Sequence, residues 1–306
     1  MDREKTWEQI KRIGYGSGPA KGYVWMDQEE EARIDARLAE HPADRSLLTA
    51  KGILNLNWDP DVAAECFSRA LAVQPFDAHQ HYNRGRVYLN TFRRSEALAA
   101  LELAVRLDAE DNWKWHFLGV ARYLLRDYEV ALGHFRTAMT VAARHDDDLI
   151  SCEIDWMWLC LVHLGRPDEA ARVVATVTPE TKVVPVIGDD EGYRDICLLL
   201  NGTIPVDEYV ARIDPGGEGG SYGALFAVAR YHYHLERDIP TALEYLHRVL
   251  SLPDPPDDRG NGILSRQKGW GYQLALHDRD EWERAAAALG GPAPTTSTTP
   301  PAASGN

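Results

Sequence analysis

The chain has 306 residues and a formal net charge of −14. That charge argues against nucleic acid or an anionic membrane as the main partner; it favours a basic partner, or serves solubility alone. No apolar run reaches the length of a membrane span, the start Met1-Asp2-Arg3-Glu4-Lys5 lacks the apolar segment of a signal peptide, and Cys66, Cys152, Cys160 and Cys197 show no paired metal spacing, so they read as reduced residues of a cytoplasmic protein.

In chain order, residues 7–13 fit a short helix and residues 27–40 a second one, with Ile34 and Leu38 on its inward face. Between them Gly14, Gly16, Gly18 and Gly22 invite a phosphate-loop reading. No Gly-Lys-Ser/Thr closes the run, and the strand–loop–helix context is not evident, so the segment reads as a lid or linker. Residues 1–41 form an N-terminal cap with this glycine-rich stretch.

From residue 42 a register of thirty-four residues sets in. Ala63, Ala97 and Ala131 keep this step, as do Phe67, Leu101 and Phe135, then Ala70, Ala104 and Ala138; Gly85 and Gly119 share it. A period of this size means stacked helix–turn–helix units. Small residues such as Gly119, Ala131 and Ala138 are needed where helix axes cross closely. Trp115, Leu118, Tyr123 and Phe135 fill the surrounding space, each contributing roughly 1.5–3 kcal/mol when fully buried.

The run Trp115-His116-Phe117-Leu118-Gly119 with Tyr123, Tyr128, Ala131, Phe135 and Ala138 resembles the tetratricopeptide repeat. The resemblance covers roughly residues 42–253 with a gap. It implies an all-α fold, an α-solenoid of stacked repeats with helical caps. Units fall near 45–77, 78–111, 112–147 and 150–178. The fourth carries Trp158 where glycine is usual. Its run Trp156-Met157-Trp158-Leu159-Cys160-Leu161, together with 193–200, is also similar to uncharacterised bacterial tetratricopeptide proteins.

Residues 178–221 are rich in proline and glycine, with a short helical pair near 192–213 between the breakers. A later unit spans 222–253. Residues 263–276 and 280–289 read as a C-terminal helical pair that caps the array, giving a solenoid over 42–290. Residues 291–306 lack the composition to bury a core and read as a disordered tail.

The resemblance also implies a concave groove lined by the first helix of each unit. The matching positions give His79, Tyr82 and Arg86, then Trp113, His116 and Tyr123, then Asp155, then Tyr231 and His234. Tyr82, His116 and Asp155 share one position in three successive units, about 10 Å apart at helix-packing distance. This row supports two expectations. The first is an adaptor or scaffold that binds a partner peptide or helix in the groove, a basic one being favoured by the acidic charge. The second is a small-molecule-binding protein or enzyme doing proton transfer, with Asp155 orienting His116 and with Tyr82 or Arg86 holding an oxyanion. Recognition of a C-terminal carboxylate would use Arg86 and Asn90, but Val120 and Leu159 stand at the position of Arg86 in the next two units.

No cofactor and no metal is expected. Alternate histidines in His79-Gln80-His81 and His232-Tyr233-His234 point about 200° apart on one α-helix. A metal site would need ligands from several units. The acidic runs 146–148, 189–191 and 257–258 read as solvated connections.

Overall fold

Aspartates start several of the helices. Asp44, Asp59, Asp77 and Asp111 each accept a hydrogen bond from a backbone N–H of the turn that follows, satisfying donors that a helix start leaves unpaired. Pro60 and Pro167 occupy the first turns of their helices, where no N–H is required. The computed structural model describes residues 28–56, 59–144, 150–181, 190–214, 221–252 and 270–290.

Among the described residues, helix α1 (Gln28–Glu40) precedes six helix pairs. These are α2 (Arg45–Asn55) with α3 (Pro60–Val73), α4 (Ala78–Asn90) with α5 (Arg94–Leu107), and α6 (Asn112–Leu124) with α7 (Tyr128–Arg144). They continue with α8 (Ile150–His163) and α9 (Pro167–Val174), α10 (Asp190–Leu200) and α11 (Val206–Ile213), and α12 (Tyr222–Tyr231) and α13 (Ile239–Ser251). Helix α14 (Trp270–Ala288) ends the series. No strand occurs among the described residues. The glycine-rich segment 14–22, the acidic runs 146–148 and 257–258, and the tail 291–306 lie outside them.

The turns repeat as well as the helices. Phe92, Arg126, Gly165 and Arg237 all take a left-handed backbone, with φ between 59° and 68°, between the two helices of their units. In the first three pairs, the glycine of the first helix receives a ring or branched side chain. A Cβ on Gly52 would come within 2.5 Å of Phe67, one on Gly85 within 2.6 Å of Leu101, and one on Gly119 within 2.6 Å of Phe135. Phe135 is the side chain laid on Gly119, and it is fully buried. Gly119→Leu should therefore destabilise the array by about 1–3 kcal/mol through overpacking. A denaturant midpoint unchanged in Gly119→Leu would refute this close crossing.

The core forms two clusters that meet at α4. Val87 belongs to the cluster of α1–α3, whereas Tyr82 and Leu89 belong to the larger one that runs on to α14. Trp156 and Trp158 lie in the larger core. Trp115 instead stays half-buried, with its indole N–H donating to the Ala109 carbonyl at 2.9 Å.

The C-terminus departs from the sequence expectation. One continuous helix spans Trp270–Ala288 where two are expected; residues 263–269 lie outside the described part. The His277-Asp278 step, read as an interruption, is buried in mid-helix. Helix α14 packs on α12 and α13. At its start Gly271 touches α12 so closely that a Cβ would lie 2.1 Å from the Tyr222 carbonyl oxygen. Before α13, residues His232–Glu236 form a π-helical turn, so the α-helical angle assumed for His232 and His234 does not apply.

Candidate functional site

The sequence-identified groove residues divide into two halves. In the first half, α4 and α6 carry His79, Tyr82, Arg86 and Trp113. Tyr82 is buried, with its ring edge-on to Phe117 at 5.6 Å. Burial pushes its hydroxyl up to about 12, against the pull of Arg86. The half-buried Arg86 guanidinium lies 5.5 Å from the Tyr82 ring centre and 5.1 Å from that of Phe117. Lys114 is buried and paired with Asp108 at 2.9 Å and with Asp111. Among the described residues, no carboxylate pairs with Arg86.

His79 shares this half, its ring nitrogen 3.0 Å from the Asn83 amide nitrogen. Burial, reinforced by Lys114, lowers its pKa from 6.5 to about 4. Between these values the unfolded chain takes up a proton that the folded chain refuses. Stability from this group is thus complete above pH 6.5 and falls as the pH drops toward 4, by up to about 1.4 kcal/mol per pH unit. Melting of wild type and His79→Gln should converge in slope above pH 7, with wild type losing stability faster below pH 6. Parallel curves from pH 7 to 4 would refute the assignment.

The middle of the groove holds two buried acid–base pairs. His116 Nδ1 lies 2.8 Å from Glu153 Oε1, both side chains being almost completely covered. Asp155 pairs instead with Arg230 of α12. The expected Asp155–His116 contact is therefore not made. One helical turn contains both acids, and the identity of each partner follows from where α6 and α12 pack on α8. Burial raises both carboxyls, with His116 and Arg230 respectively opposing it. Val120 and Leu159 are wholly buried, so they offer no polar contact beside Arg86. Glu153 and Arg230 are functional-type residues that the repeat positions do not single out. Their signal is a charge inside a helix that is apolar nearly all round: Arg230 follows the buried run Phe226, Ala227, Val228 and Ala229.

In the second half, α14 covers the face. Trp270 approaches Phe117 at 6.2 Å and Trp156 at 6.1 Å. Further along, His277 stacks on Tyr123 at 4.9 Å, and Trp282 stacks on Tyr233 at 4.2 Å and on Phe226 at 6.0 Å. Arg126 donates to the His277 carbonyl and lies 3.6 Å from Glu281. Tyr123 is thus fully buried beneath α14. Tyr231 stays half-buried, with its hydroxyl donating to Glu236 at 2.9 Å. His234, on the π-helical turn, sets its ring edge against Trp158 at 5.5 Å and Trp282 at 5.9 Å.

Helix α14 also brings ligand-type atoms to α8. Donor atoms of His163, His277 and Asp278 all lie within 4.8 Å of one another. Burial works to raise the Asp278 carboxyl, but His163 and His277 hold it below the usual carboxylate range. Burial and then His163 lower His234 to about 3, leaving a neutral imidazole beside the group. A separate cavity of about 250 Å³ opens between α10, α11 and α12, lined by residues including Asp195, Tyr209 and Arg212. The row Tyr82, His116 and Asp155 does not line it.

No protein-family model matches the chain. A tetratricopeptide repeat protein from Parabacteroides merdae superposes with a TM-score of 0.51 at 15% identity, over 81% of this chain and 93% of that one. PilF of Pseudomonas aeruginosa superposes with a TM-score of 0.47 at 14% identity, over 81% and 92%. Among curated proteins, Essential for maintenance of the cell wall protein 1 of Saccharomyces cerevisiae is 25% identical over 140 residues. That match spans 42% of this chain and only 16% of the yeast protein. The fold is that of a tetratricopeptide-type α-solenoid.

Proposed function

We propose that this tetratricopeptide-type solenoid is a protein-interaction scaffold that takes a partner's helix or extended segment on the first half of its concave face. The observation that carries the reading is α14. A helix from outside the repeats already lies against the first helices of the array, held by Trp270, His277 and Trp282 on aromatic partners. This is helix-in-groove recognition by spaced apolar anchors. The first half offers similar chemistry in half-buried form: Trp113, His79 and Arg86 above the buried Tyr82 and Phe117.

The net charge favours a basic partner for the outer surface. At the groove itself, Arg86 has no carboxylate partner among the described residues, which favours an acidic side chain or a terminal carboxylate at that point. The proton-transfer reading gains no support from the row: His116 and Asp155 are each paired and covered.

The test is affinity capture from native lysate with wild type and an Arg86→Glu/Trp113→Ala variant, both verified as folded by circular dichroism. A protein retained by wild type and lost by the variant is the expected result. Equal retention by both sinks the proposed site. A small molecule lost in the same way, with no protein partner, would move the alternative to the front.

A further inference from the structure

We infer that His163, His277 and Asp278 form a binding site for a divalent transition-metal ion of the zinc class, which pins α14 to α8. The inference stands apart from the scaffold reading and draws on other residues. The donor set is right for such an ion: two imidazoles and a carboxylate. Its side chains are 3%, 1% and 0% exposed.

Among the described residues, three buried polar atoms here have no hydrogen-bond partner: His163 Nε2, Asp278 Oδ2 and the Tyr123 hydroxyl. No lysine or arginine among the described residues pairs with Asp278, so the buried carboxylate lacks a permanent countercharge. A charge so placed is costly unless a cation meets it. His163 Nε2 lies 3.4 Å from Asp278 Oδ1, close to the roughly 3.3 Å edge of a tetrahedron with zinc bonds near 2.0 Å.

His277 Nδ1 lies 2.5 Å from Asp278 Oδ1, a hydrogen-bond distance that opens by under about 1 Å when both atoms turn to one ion. Tyr128 stacks on His163 at 4.5 Å and Tyr123 on His277 at 4.9 Å, which fixes both rings. The fourth position falls to water or to His234, whose Nε2 is also unpartnered and whose ring lies 5.9 Å from that of His163. No single helix could supply this set. The ligands come from α8 and from a helix more than a hundred residues later.

The full chain, stripped with a chelator, would be titrated with zinc chloride by calorimetry. One ion per chain and a rise in melting temperature are expected. His163→Gln and Asp278→Asn should each weaken binding by more than the roughly 10–100-fold typical of losing an outer partner. His247→Ala, an exposed histidine of α13, should bind as wild type does. Should the variants fail to fold, X-ray absorption of zinc-loaded wild type decides. Two imidazoles and oxygen support the site, whereas sulfur or all-oxygen coordination overturns it. Absence of stoichiometric binding, or unchanged affinity in both folded variants, overturns it as well.

Discussion

Replacing Trp282 by alanine should cost about 3–5 kcal/mol and release α14 from the helices it covers. Trp282 is fully buried, and its ring stacks on Tyr233 at 4.2 Å with planes 7° apart. Truncation removes that stack, the one on Phe226 and the edge contact with His234 together. The loss should be local, because each unit of a solenoid contacts mainly its neighbours. Amide exchange should therefore accelerate through Trp270–Ala288 while α4 and α5 keep their protection. If α14 remains as protected in Trp282→Ala as in wild type, Trp282 is not its anchor. Uniform acceleration across all units would instead mean that α14 and the repeats unfold as one.

Asp155→Ala should be comparably severe, at about 3–5 kcal/mol, because it leaves Arg230 charged and unpaired in the core. The guanidinium is 2% exposed and already has two nitrogens, Nε and Nη1, without hydrogen-bond partners. Its face on Trp158, 5.4 Å from the ring centre, cannot replace a carboxylate. Arg230→Met alone leaves the buried acid and should cost a similar amount. The double variant Asp155→Leu/Arg230→Met should recover much of the loss, since apolar replacement of a buried pair is often close to neutral. A double variant whose loss equals the sum of the singles would show that the two charges do not depend on each other. This pair also changes how the row Tyr82, His116 and Asp155 is to be tested. Substitutions there disturb folding, so Arg86 and Trp113 are the residues that can report on binding.

Much of the architecture was legible without coordinates. The thirty-four-residue step of Ala63, Ala97 and Ala131 encodes contacts between helices close in sequence. Gly119 and Phe135 sit sixteen residues apart and meet in space, so their residue types carry the geometry. The candidate site was legible only as a set of positions. Tyr82, His116 and Asp155 do lie on the first helices of successive units, yet position did not disclose their partners. Glu153 and Asp155 are two residues apart on one helix, and their acid side chains are interchangeable to a pattern of spacings. His277 and Asp278 were hidden differently: polar residues in mid-sequence resemble a break between helices until a buried partner such as His163 is known.

The sequence by itself determined the period of the units and the small residues that let paired helices cross. These are contacts between near neighbours, and each repeats, so a linear pattern records them. Only the tertiary structure decided that α14 lies against the first helices of the array, that Tyr123 lies beneath it, that Arg230 meets Asp155, and that His163 faces His277 and Asp278. These contacts join residues 75 to 154 positions apart. Each occurs once and leaves no period. They follow from how the last helix packs against the first helices of earlier units, which no spacing along the chain records.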